Sequence, residues 1–346
     1  MKDPIRIVEA AYSYDATSEI EWLQRIAETV LHNMPEAHGA VAYAYEVQQR
    51  GPIPWIAPGA IAEVNTPAGL SAAFLNRGPQ EPAVQRATAA LHRVTGLQSA
   101  LRFMQSVPEY ASEMQFYREG LRSNGFDDIV TITAADPTPH GCIVGMLTRS
   151  AVPAHPSARL HWQRLAAHIA AGFRIRRKIA ESGAVDATHG AEAILESSGA
   201  VAHASNAAAP RSSRDALRAA VLAADRARGP LRRRAPDEAI EAWRGLVAGR
   251  WTLLDHFDRD GRRYLLAHRN DPDAPDPRAL TLRERQVVGY VALGQSNKLI
   301  AYELGLSAST VGVLLKNAAA KLGARSRTEL GMFGSPGRSS GDSADD

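Results

Sequence analysis

The segment from residue 280 to residue 330 constrains the fold of this chain most strongly, because its cap and turn residues divide it into four short helices. Thr281 and Glu284 form a capping box that opens a helix, and Ser307 caps another. Gly305 provides a tight turn just before Ser307, and apolar residues recur every three or four positions between these boundaries. Four helices in about fifty residues, with a tight second turn, form a unit that presents its third helix outward.

Four motifs occur in order along this segment. They are Leu-Thr-x-Arg-Glu from Leu280, Ser-Asn-Lys-x-Ile-Ala from Ser296, Leu-x-Leu-Ser-x-x-Thr-Val from Leu304, and Lys-Leu-Gly-x-x-x-Arg-x-Glu-Leu from Lys321. With these motifs at these spacings, the segment resembles the LuxR/FixJ-type DNA-binding domain across all of 280–330. The resemblance implies an all-α helix-turn-helix domain over 280–333, whose third helix binds double-stranded DNA and whose fourth helix contacts a second protomer.

The resemblance also implies roles for individual residues. The residues that would face bases are Thr310, Gly312, Val313, Lys316 and Asn317. The residues that would hold backbone phosphates are Ser296, Asn297, Lys298, Ser307, Ser309 and Lys321. The residues that would form the dimer contact are Arg327 and Leu330. By their chemistry, Asn317 suits adenine, and Lys316 suits a guanine or a phosphate. Thr310 or Val313 suits the methyl group of thymine.

The third helix departs from the family pattern at two places. Where the family usually has Lys-x-His after Thr-Val, this chain has Gly312, Val313 and Leu314. Gly312 removes a cationic contact and costs the helix about 1 kcal/mol relative to alanine. Three alanines at 318–320 replace larger or basic residues. We therefore expect fewer phosphate contacts and a modest affinity of the monomer for DNA, compensated by dimerisation. The alternative is a protein-interaction adaptor that keeps the helical scaffold after losing base readout.

The basic charge of the chain is concentrated in this segment. Residues 281–330 contain seven basic and three acidic residues, a net charge of +4, whereas the whole chain carries +3. This distribution suits a polyanionic partner for the segment alone, although a solvated surface with surplus arginine gives the same count. Cys142 is the only cysteine, which excludes an intramolecular disulfide and a cysteine-rich zinc site, and we expect it to be buried and inert.

The N-terminal region, 1–180, is predicted to be an α/β sensory domain. A helix is expected over 18–34, a strand near 41–47 and a hairpin over 129–147. A long helix over 158–179 closes the region, with basic residues in its last turns. A helix, a sheet and a closing long helix resemble a GAF-type sensory domain, and this resemblance is one of architecture without a motif.

The middle region, 188–270, resembles a PAS domain or a degenerate form of one. Two short strands are expected within 193–205, helices over 213–228 and 236–247, and a hairpin over 251–268 with an Asp-Gly turn. An exposed linker is expected at 271–279 and a disordered tail at 334–346. The predicted fold class is therefore a multidomain α+β protein with a C-terminal all-α domain.

Catalytic patterns are missing from the sequence. Gly337 begins a G-x-S-x-G match that lies in the tail without a preceding strand. His161 and His168 share a helix face, where ordinary, partly exposed histidines are favoured over metal or haem ligands. We therefore expect no enzymatic activity, no metal and no cofactor. The Trp-Tyr-Asp-Pro cluster associated with acyl-homoserine-lactone sensing is also missing, so the sequence does not name the effector.

The chain is 346 residues long, which suits two or three domains. It contains no apolar run of the roughly 18 residues that a membrane span needs, and its start lacks the apolar core of a signal peptide. We expect a cytoplasmic, effector-responsive transcriptional regulator that binds double-stranded DNA as a homodimer, with RNA polymerase as a further candidate partner. An effector would change the packing of 158–179 or of the middle hairpin and so the spacing of two C-terminal domains.

Overall fold

A computed structural model of the chain contains two antiparallel five-stranded sheets and a C-terminal group of helices. The residues described are 2–15, 18–50, 53–75, 81–93, 95–111, 113–136, 138–150, 152, 156–183, 187–243, 246–247, 251–257, 261–270, 282–322, 324 and 326–334. The mixed helix-and-sheet class expected from the sequence is confirmed. The likeness to GAF and PAS domains and the limits of the domains stay predictions. The linker at 271–279 and residues 335–346 of the tail lie outside the described residues.

The first sheet has the strand order β2-β1-β5-β4-β3. Its strands are β1 (Ala37–Arg50), β2 (Ile53–Val64), β3 (Gly96–Ser99), β4 (Asp128–Ala135) and β5 (His140–Thr148). The predicted β4–β5 hairpin is confirmed, with Asp128 opposite Thr148 and Ala135 opposite Gly141. Since side chains of a strand alternate between faces, each strand contributes residues to two separate layers of helices.

One face of this sheet is covered by α1 (Ile5–Tyr12), α2 (Glu19–Asn33) and α7 (Pro156–Glu181). Of the expected capping box of α2, the Ser18 cap is confirmed, because the Ser18 hydroxyl accepts from the backbone N–H of Glu21. Cys142 is fully buried in this layer, and burial raises the pKa of its thiol, which agrees with an inert cysteine.

Four short helices lie on the other face of the first sheet. They are α3 (Leu70–Leu75), α4 (Pro82–Leu91), α5 (Ala100–Gln105) and α6 (Met114–Arg122), with a 3-10 turn at Pro108–Tyr110. Apolar residues of these helices form a core cluster that includes Leu147 of β5. The sequence predicted only one helix in this region, near 109–123, and the structure divides that stretch between the 3-10 turn and α6.

The second sheet has the strand order β7-β6-β10-β9-β8. Its strands are β6 (Ala191–Glu196), β7 (Val201–Ala204), β8 (Leu246–Val247), β9 (Trp251–Phe257) and β10 (Arg263–Arg269). The β9–β10 hairpin is confirmed by the pairing of Arg263 with Phe257, although the expected turn at 258–260 lies outside the described residues. One face packs on α8 (Arg211–Arg226), and the other contributes Leu254 and Leu266 to the core shared with α1 and α7.

Two predicted helices of the middle region end differently from expectation. The helix predicted to end before Gly229 is α8, and a further helical turn at Ala227–Leu231 connects it to α9 (Arg232–Arg234). Within that turn only Gly229 has non-helical dihedrals. The helix predicted to reach 247 is α10 (Pro236–Ala242). It ends early because Trp243 adopts an extended backbone and stacks on Tyr12, with ring centroids 6.2 Å apart. The following residues then pair with β9 as strand β8.

The C-terminal part contains α11 (Leu282–Ala292), α12 (Asn297–Leu304), α13 (Ala308–Leu322) and α14 (Arg327–Phe333). The four helices predicted from the sequence are confirmed, although Thr281 and Gly323 lie outside the described residues. Taken alone, none of the helices in the described part of the chain is long and apolar enough to span a membrane. Only α12 and α13 together, bent by 105°, reach that length and apolarity.

Candidate nucleic-acid interface and internal cavity

The turn between α12 and α13 has the geometry of a helix-turn-helix unit. The Ser296 hydroxyl caps α12 by accepting from the backbone N–H of Leu299 at 3.3 Å. Gly305 ends the helix in the left-handed region, with φ at 62°, where a side chain would be strained. Ser307 caps α13 by accepting from the backbone N–H of Thr310 at 3.0 Å. The resulting 105° bend lies in the range for this motif.

The two sides of α13 differ in burial. Val311, Leu315 and Ala318 pack in the core of the helical domain, together with residues of α11 and α12. The opposite side is exposed, and Val313 has 58% of its surface accessible. The structure brings the following predicted base-facing residues to that exposed side: Thr310, Val313, Lys316 and Asn317. Gly312 is half-buried beside them, and a Cβ built on it would meet nothing within 4 Å.

The residues predicted to hold phosphates are distributed around the starts of α12 and α13. Ser296 and Ser307 use their hydroxyls as caps, and Ser307 also bonds to Ser309 at 2.8 Å. Lys298 is exposed, while the Asn297 amide oxygen accepts a hydrogen bond from Arg327 at 2.7 Å. Lys321 lies in the last turns of α13. The start of α13 therefore directly follows the turn, whereas the start of α12 lies one helix length before it.

The two residues predicted to form the dimer contact have partners within the chain. Leu330 is 3% exposed and packs in the core of the helical domain. Arg327 donates to Asn297 and to the backbone oxygen of Gln295. The exposed apolar residues of α14 are instead Met332 and Phe333, at 50% and 39%, which sequence reasoning missed. The helical spacing of α14 could have indicated Met332, which lies on the side away from Leu330, whereas Phe333 is three residues from Leu330 and lies nearer its side of the helix.

A cavity of about 200 Å³ lies between the first sheet and helices α3 to α6. It was not predicted from the sequence, because its walls come from separated elements. Its lining residues are Val41, Tyr43, Trp55, Ile56, Pro58, Leu70, Ser71, Phe74, Leu75, Gln85, Thr88, Leu91, His92, Ala100, Met104, Tyr110, Tyr117, Ile129, Thr131, Ile143, Gly145 and Leu147. A mostly apolar, aromatic wall with a few polar groups is typical of a small-molecule site.

A chain of hydrogen bonds crosses one wall of this cavity. The Tyr43 hydroxyl lies 2.9 Å from His92 Nε2, and His92 Nδ1 lies 2.8 Å from the backbone oxygen of Thr88. The Thr88 hydroxyl lies 2.5 Å from the hydroxyl of Tyr110. Burial lowers the pKa of His92 to about 4 and raises the pKa of Tyr110 to about 12. All these groups are therefore neutral near pH 7.

The helical domain is attached to the rest of the molecule through Tyr302 of α12. Its hydroxyl donates to the backbone oxygen of Ile240 at 2.8 Å and lies 2.6 Å from His168 Nε2 on α7. Because the tyrosine proton is used on Ile240, Nε2 of His168 must donate and Nδ1 must accept from Tyr12, 3.0 Å away. His168 is 2% exposed rather than partly exposed, and burial lowers its pKa to about 3. It is a neutral link between three helices.

A second polar contact joins α11 and α12 to the first sheet. Arg174 of α7 donates to Asp136 at 2.5 Å and to the Tyr290 hydroxyl at 3.3 Å. Glu303 accepts from the Gln295 amide at 2.6 Å, and burial, opposed by that hydrogen bond and by Arg174, raises its pKa to about 8. Ala135, at the end of β4, packs directly in the core of the helical domain. The β4–β5 hairpin therefore touches both the cavity and the helical domain.

Comparison with known proteins identifies the C-terminal part of the chain. Residues 278–333 match the family of bacterial regulatory proteins described as the luxR family. The monoamine regulon transcriptional regulator of Klebsiella aerogenes is 52% identical over 54 residues, which cover 16% of this chain and 24% of that protein. The HTH-type transcriptional regulator MalT of Vibrio campbellii is 38% identical over 74 residues, 21% of this chain and 8% of that protein. The chain thus spans less than a quarter of the length of these relatives.

Solved structures were also compared over the whole chain. A crystal structure of Escherichia coli SdiA has a TM-score of 0.31 and 12% identity, and the match covers 92% of this chain and 91% of that one. A structure of SdiA in complex with octanoyl-rac-glycerol has a TM-score of 0.32 and 12% identity, with 95% and 90% covered. The family match over 278–333 includes the four C-terminal helices α11 to α14. Residues 278–333 of this chain are therefore a helix-turn-helix domain of the luxR family.

Proposed function

We propose that this protein is a transcriptional regulator that reads DNA with α13 and responds to a small molecule in the cavity beside the first sheet. The observation that carries the proposal is the exposed side of α13. Thr310, Lys316 and Asn317 lie there together while the opposite side of the helix is packed in the domain core. The names of the relatives, both transcriptional regulators, support the same use of the matched domain.

The side chains on α13 suit direct readout in a major groove. The Asn317 amide can donate to and accept from an adenine edge, and the Lys316 amine can donate to guanine or to a phosphate. Val313, an apolar residue with 58% of its surface accessible, suits the methyl group of thymine. Backbone N–H groups at the starts of α12 and α13 suit phosphate oxygens, because helix N-termini carry partial positive charge.

The modest number of cations on this side favours binding as a homodimer. Two copies of the domain double the phosphate contacts and therefore the salt dependence of binding. We place the second protomer against α14, where Met332 and Phe333 are exposed. In this proposal Leu330 supports the contact from inside by packing α14, and Arg327 does so through Asn297. RNA polymerase remains a candidate partner of the DNA-bound protein.

We infer that a ligand changes the position of the helical domain through the β4–β5 hairpin. Ile129 and Thr131 of β4 line the cavity, and Ala135 at the end of the same strand packs against the helical domain. Asp136 then connects to Tyr290 through Arg174 of α7. A ligand that fits one position of the hairpin better than another would shift the population of domain arrangements by that difference in affinity.

Mobility-shift titrations of genomic fragments at about 50 and about 200 mM salt test the DNA-binding proposal. The full chain should give a shift that weakens at the higher salt, because phosphate contacts release counterions. Lys316→Ala and Asn317→Ala should each lower the affinity by roughly tenfold or more, the loss expected for one base contact. Lys2→Ala removes the same charge from an exposed position at the N-terminus and should leave the affinity unchanged.

The rival function is that of a protein-interaction adaptor, and the same titrations distinguish it. Under that alternative no salt-sensitive mobility shift appears, and the substitutions at Lys316 and Asn317 do not change the mobility of the DNA fragments. A salt-insensitive wild type would therefore contradict the regulator proposal.

A further inference from the structure

We propose that the cavity beside the first sheet binds an uncharged, ring-containing molecule that donates a hydrogen bond, such as a phenol or another aromatic bearing O–H or N–H. The inference rests on the proposed function only in taking this cavity as the effector site. It is carried by the direction of the hydrogen bonds in the cavity wall and by the absence of charge there.

The first step concerns charge. None of the described cavity-lining residues is Asp, Glu, Lys or Arg. Full burial lowers the pKa of His92 to about 4, so the ring is neutral near pH 7, and because its Nδ1 must donate to the backbone oxygen of Thr88, its Nε2 carries only a lone pair. An ion moved into such surroundings loses its hydration without gaining an opposite charge. The cavity therefore favours neutral molecules over ammonium ions and carboxylates.

The second step concerns the protons of the two tyrosines in the hydrogen-bond chain. Tyr43 must donate to His92, since Nε2 of that ring accepts. The Thr88 hydroxyl donates to the backbone oxygen of Val84 at 2.8 Å, so its bond to Tyr110 must use the tyrosine's proton. Both tyrosine hydroxyls thus donate their hydrogen bonds to atoms of the protein. What they retain for a ligand is lone pairs.

Two further hydroxyls of the wall follow the same rule. Ser71 donates to the carboxylate of Glu63, and Thr131 donates to the backbone oxygen of Gln98 at 3.3 Å. Together with Thr88 and the two tyrosines, five hydroxyls of cavity-lining residues donate their protons within the protein and keep only acceptor capacity. The remaining polar groups of the lining, Trp55, Gln85 and Tyr117, each have an interaction within the chain. At the five hydroxyls, a ligand that brings only ether, ester or ketone oxygens would place its lone pairs against lone pairs of the protein.

The third step concerns shape. Aromatic residues from five separate elements form much of the wall: Tyr43, Trp55, Phe74, Tyr110 and Tyr117. Phe74 and Tyr117 stack with centroids 5.3 Å apart and interplanar angle 8°, so they present a ready-made flat surface. Flat aromatic faces favour offset or edge-to-face contact with another ring. A cavity of about 200 Å³ suits a small molecule built on such a ring.

Isothermal titration calorimetry of the full chain, without DNA, tests this inference with matched probes. The probes are 4-ethylphenol, its methyl ether 4-ethylanisole, the ketone 4-ethylacetophenone, 4-ethylbenzoate and protonated 4-ethylbenzylamine. We expect the phenol to bind at least about tenfold more tightly than the ether or the ketone, the factor for one unmatched hydrogen bond. Equal affinity for the ether or ketone, tightest binding of either ion, or no binding of any probe would overturn the inference.

A pair of tyrosine variants assigns the preference to the cavity wall. Tyr110→Phe removes one hydrogen-bond acceptor and should reduce the ratio of the affinities for 4-ethylphenol and 4-ethylanisole several-fold. Tyr45→Phe is the control, because Tyr45 lies on the same strand as Tyr43 but does not line the cavity. Its hydroxyl donates to the backbone oxygen of His92. This control should keep the wild-type ratio. Because the titrations contain no DNA, they can succeed or fail independently of the DNA-binding result.

Discussion

At the scale of single residues, two glycines of the helix-turn-helix domain have opposite roles. Gly305 has φ at 62° and closes α12 in a conformation that side chains resist. Gly312 lies inside α13 with open space around the position of a Cβ. The first glycine is required by the turn, whereas the second lowers the stability of the helix that we propose enters DNA.

Substituting alanine at each position should therefore change stability in opposite directions. Gly312→Ala should raise the free energy of unfolding by about 1 kcal/mol, because alanine loses less backbone entropy in a helix. Gly305→Ala should lower it by about 1 to 2 kcal/mol, because of the left-handed backbone. Urea unfolding followed by circular dichroism measures both. A loss of stability in Gly312→Ala would contradict the open surroundings of that residue.

Tyr302 provides a second test at the residue scale. Tyr302→Phe keeps the ring but leaves the backbone oxygen of Ile240 and the Nε2 proton of His168 without their partner, which costs about 1 to 3 kcal/mol. Hydrogen exchange should become faster in α7 and α12, while the circular dichroism spectrum stays the same. The control is Tyr264→Phe, on a half-buried tyrosine of the second sheet. Unchanged exchange in α12 would show that the hydroxyl does not fix the domain.

At the scale of elements, local signals predicted those elements whose boundaries depend on neighbouring residues. Ser18 caps α2 and Ser307 caps α13 as their sequence patterns indicated. The β4–β5 hairpin follows from two runs rich in strand-forming residues that flank a turn rich in Pro and Asp. The end of α10 could not be predicted, because it depends on Trp243 stacking on Tyr12, more than two hundred residues away in sequence.

The candidate site likewise has one part that could be predicted from the sequence and one part that could not. The exposed side of α13 follows from its helical period, whereas the resemblance to the LuxR/FixJ-type domain implied which of its residues would face bases. The cavity could not be named, because Tyr43, His92 and Tyr110 come together only when the sheet and its covering helices assemble. The burial of Leu330 likewise could not be predicted from the sequence, since it depends on the packing of α14 against α11.

At the scale of the whole molecule, the helical domain is held by buried polar contacts that respond to pH. Glu303 faces Gln295 and Tyr290 of its own domain, and Arg174 and Asp136 of the N-terminal region also act on it. Its pKa rises from an ordinary 4.5 to about 8 on folding. The folded protein therefore holds a proton that the unfolded chain releases above about pH 4.5, so this group's contribution is lost as pH rises through 8.

Stability should accordingly fall between about pH 6.5 and 8, and Glu303→Gln should flatten that decrease. His92 and His168, with pKa values lowered to about 4 and about 3, act in the other direction and only below their ordinary 6.5. The chosen window therefore separates Glu303 from them. Thermal unfolding across this range measures the effect, with exposed Glu238→Gln as the control. If the stability of Glu303→Gln fell with pH as steeply as that of the wild type, groups other than Glu303 would cause the pH dependence.

The central claim for the whole molecule is that the exposed side of α13 reads base edges. Selection of bound sequences from a random pool of double-stranded DNA, carried out in parallel with wild type and Asn317→Ala, tests it most directly. We predict that the wild type enriches a defined site and that the variant loses its adenine preference at one position per half-site while keeping the others. Identical sequence preferences for the two proteins, or no enrichment by the wild type, would contradict the claim.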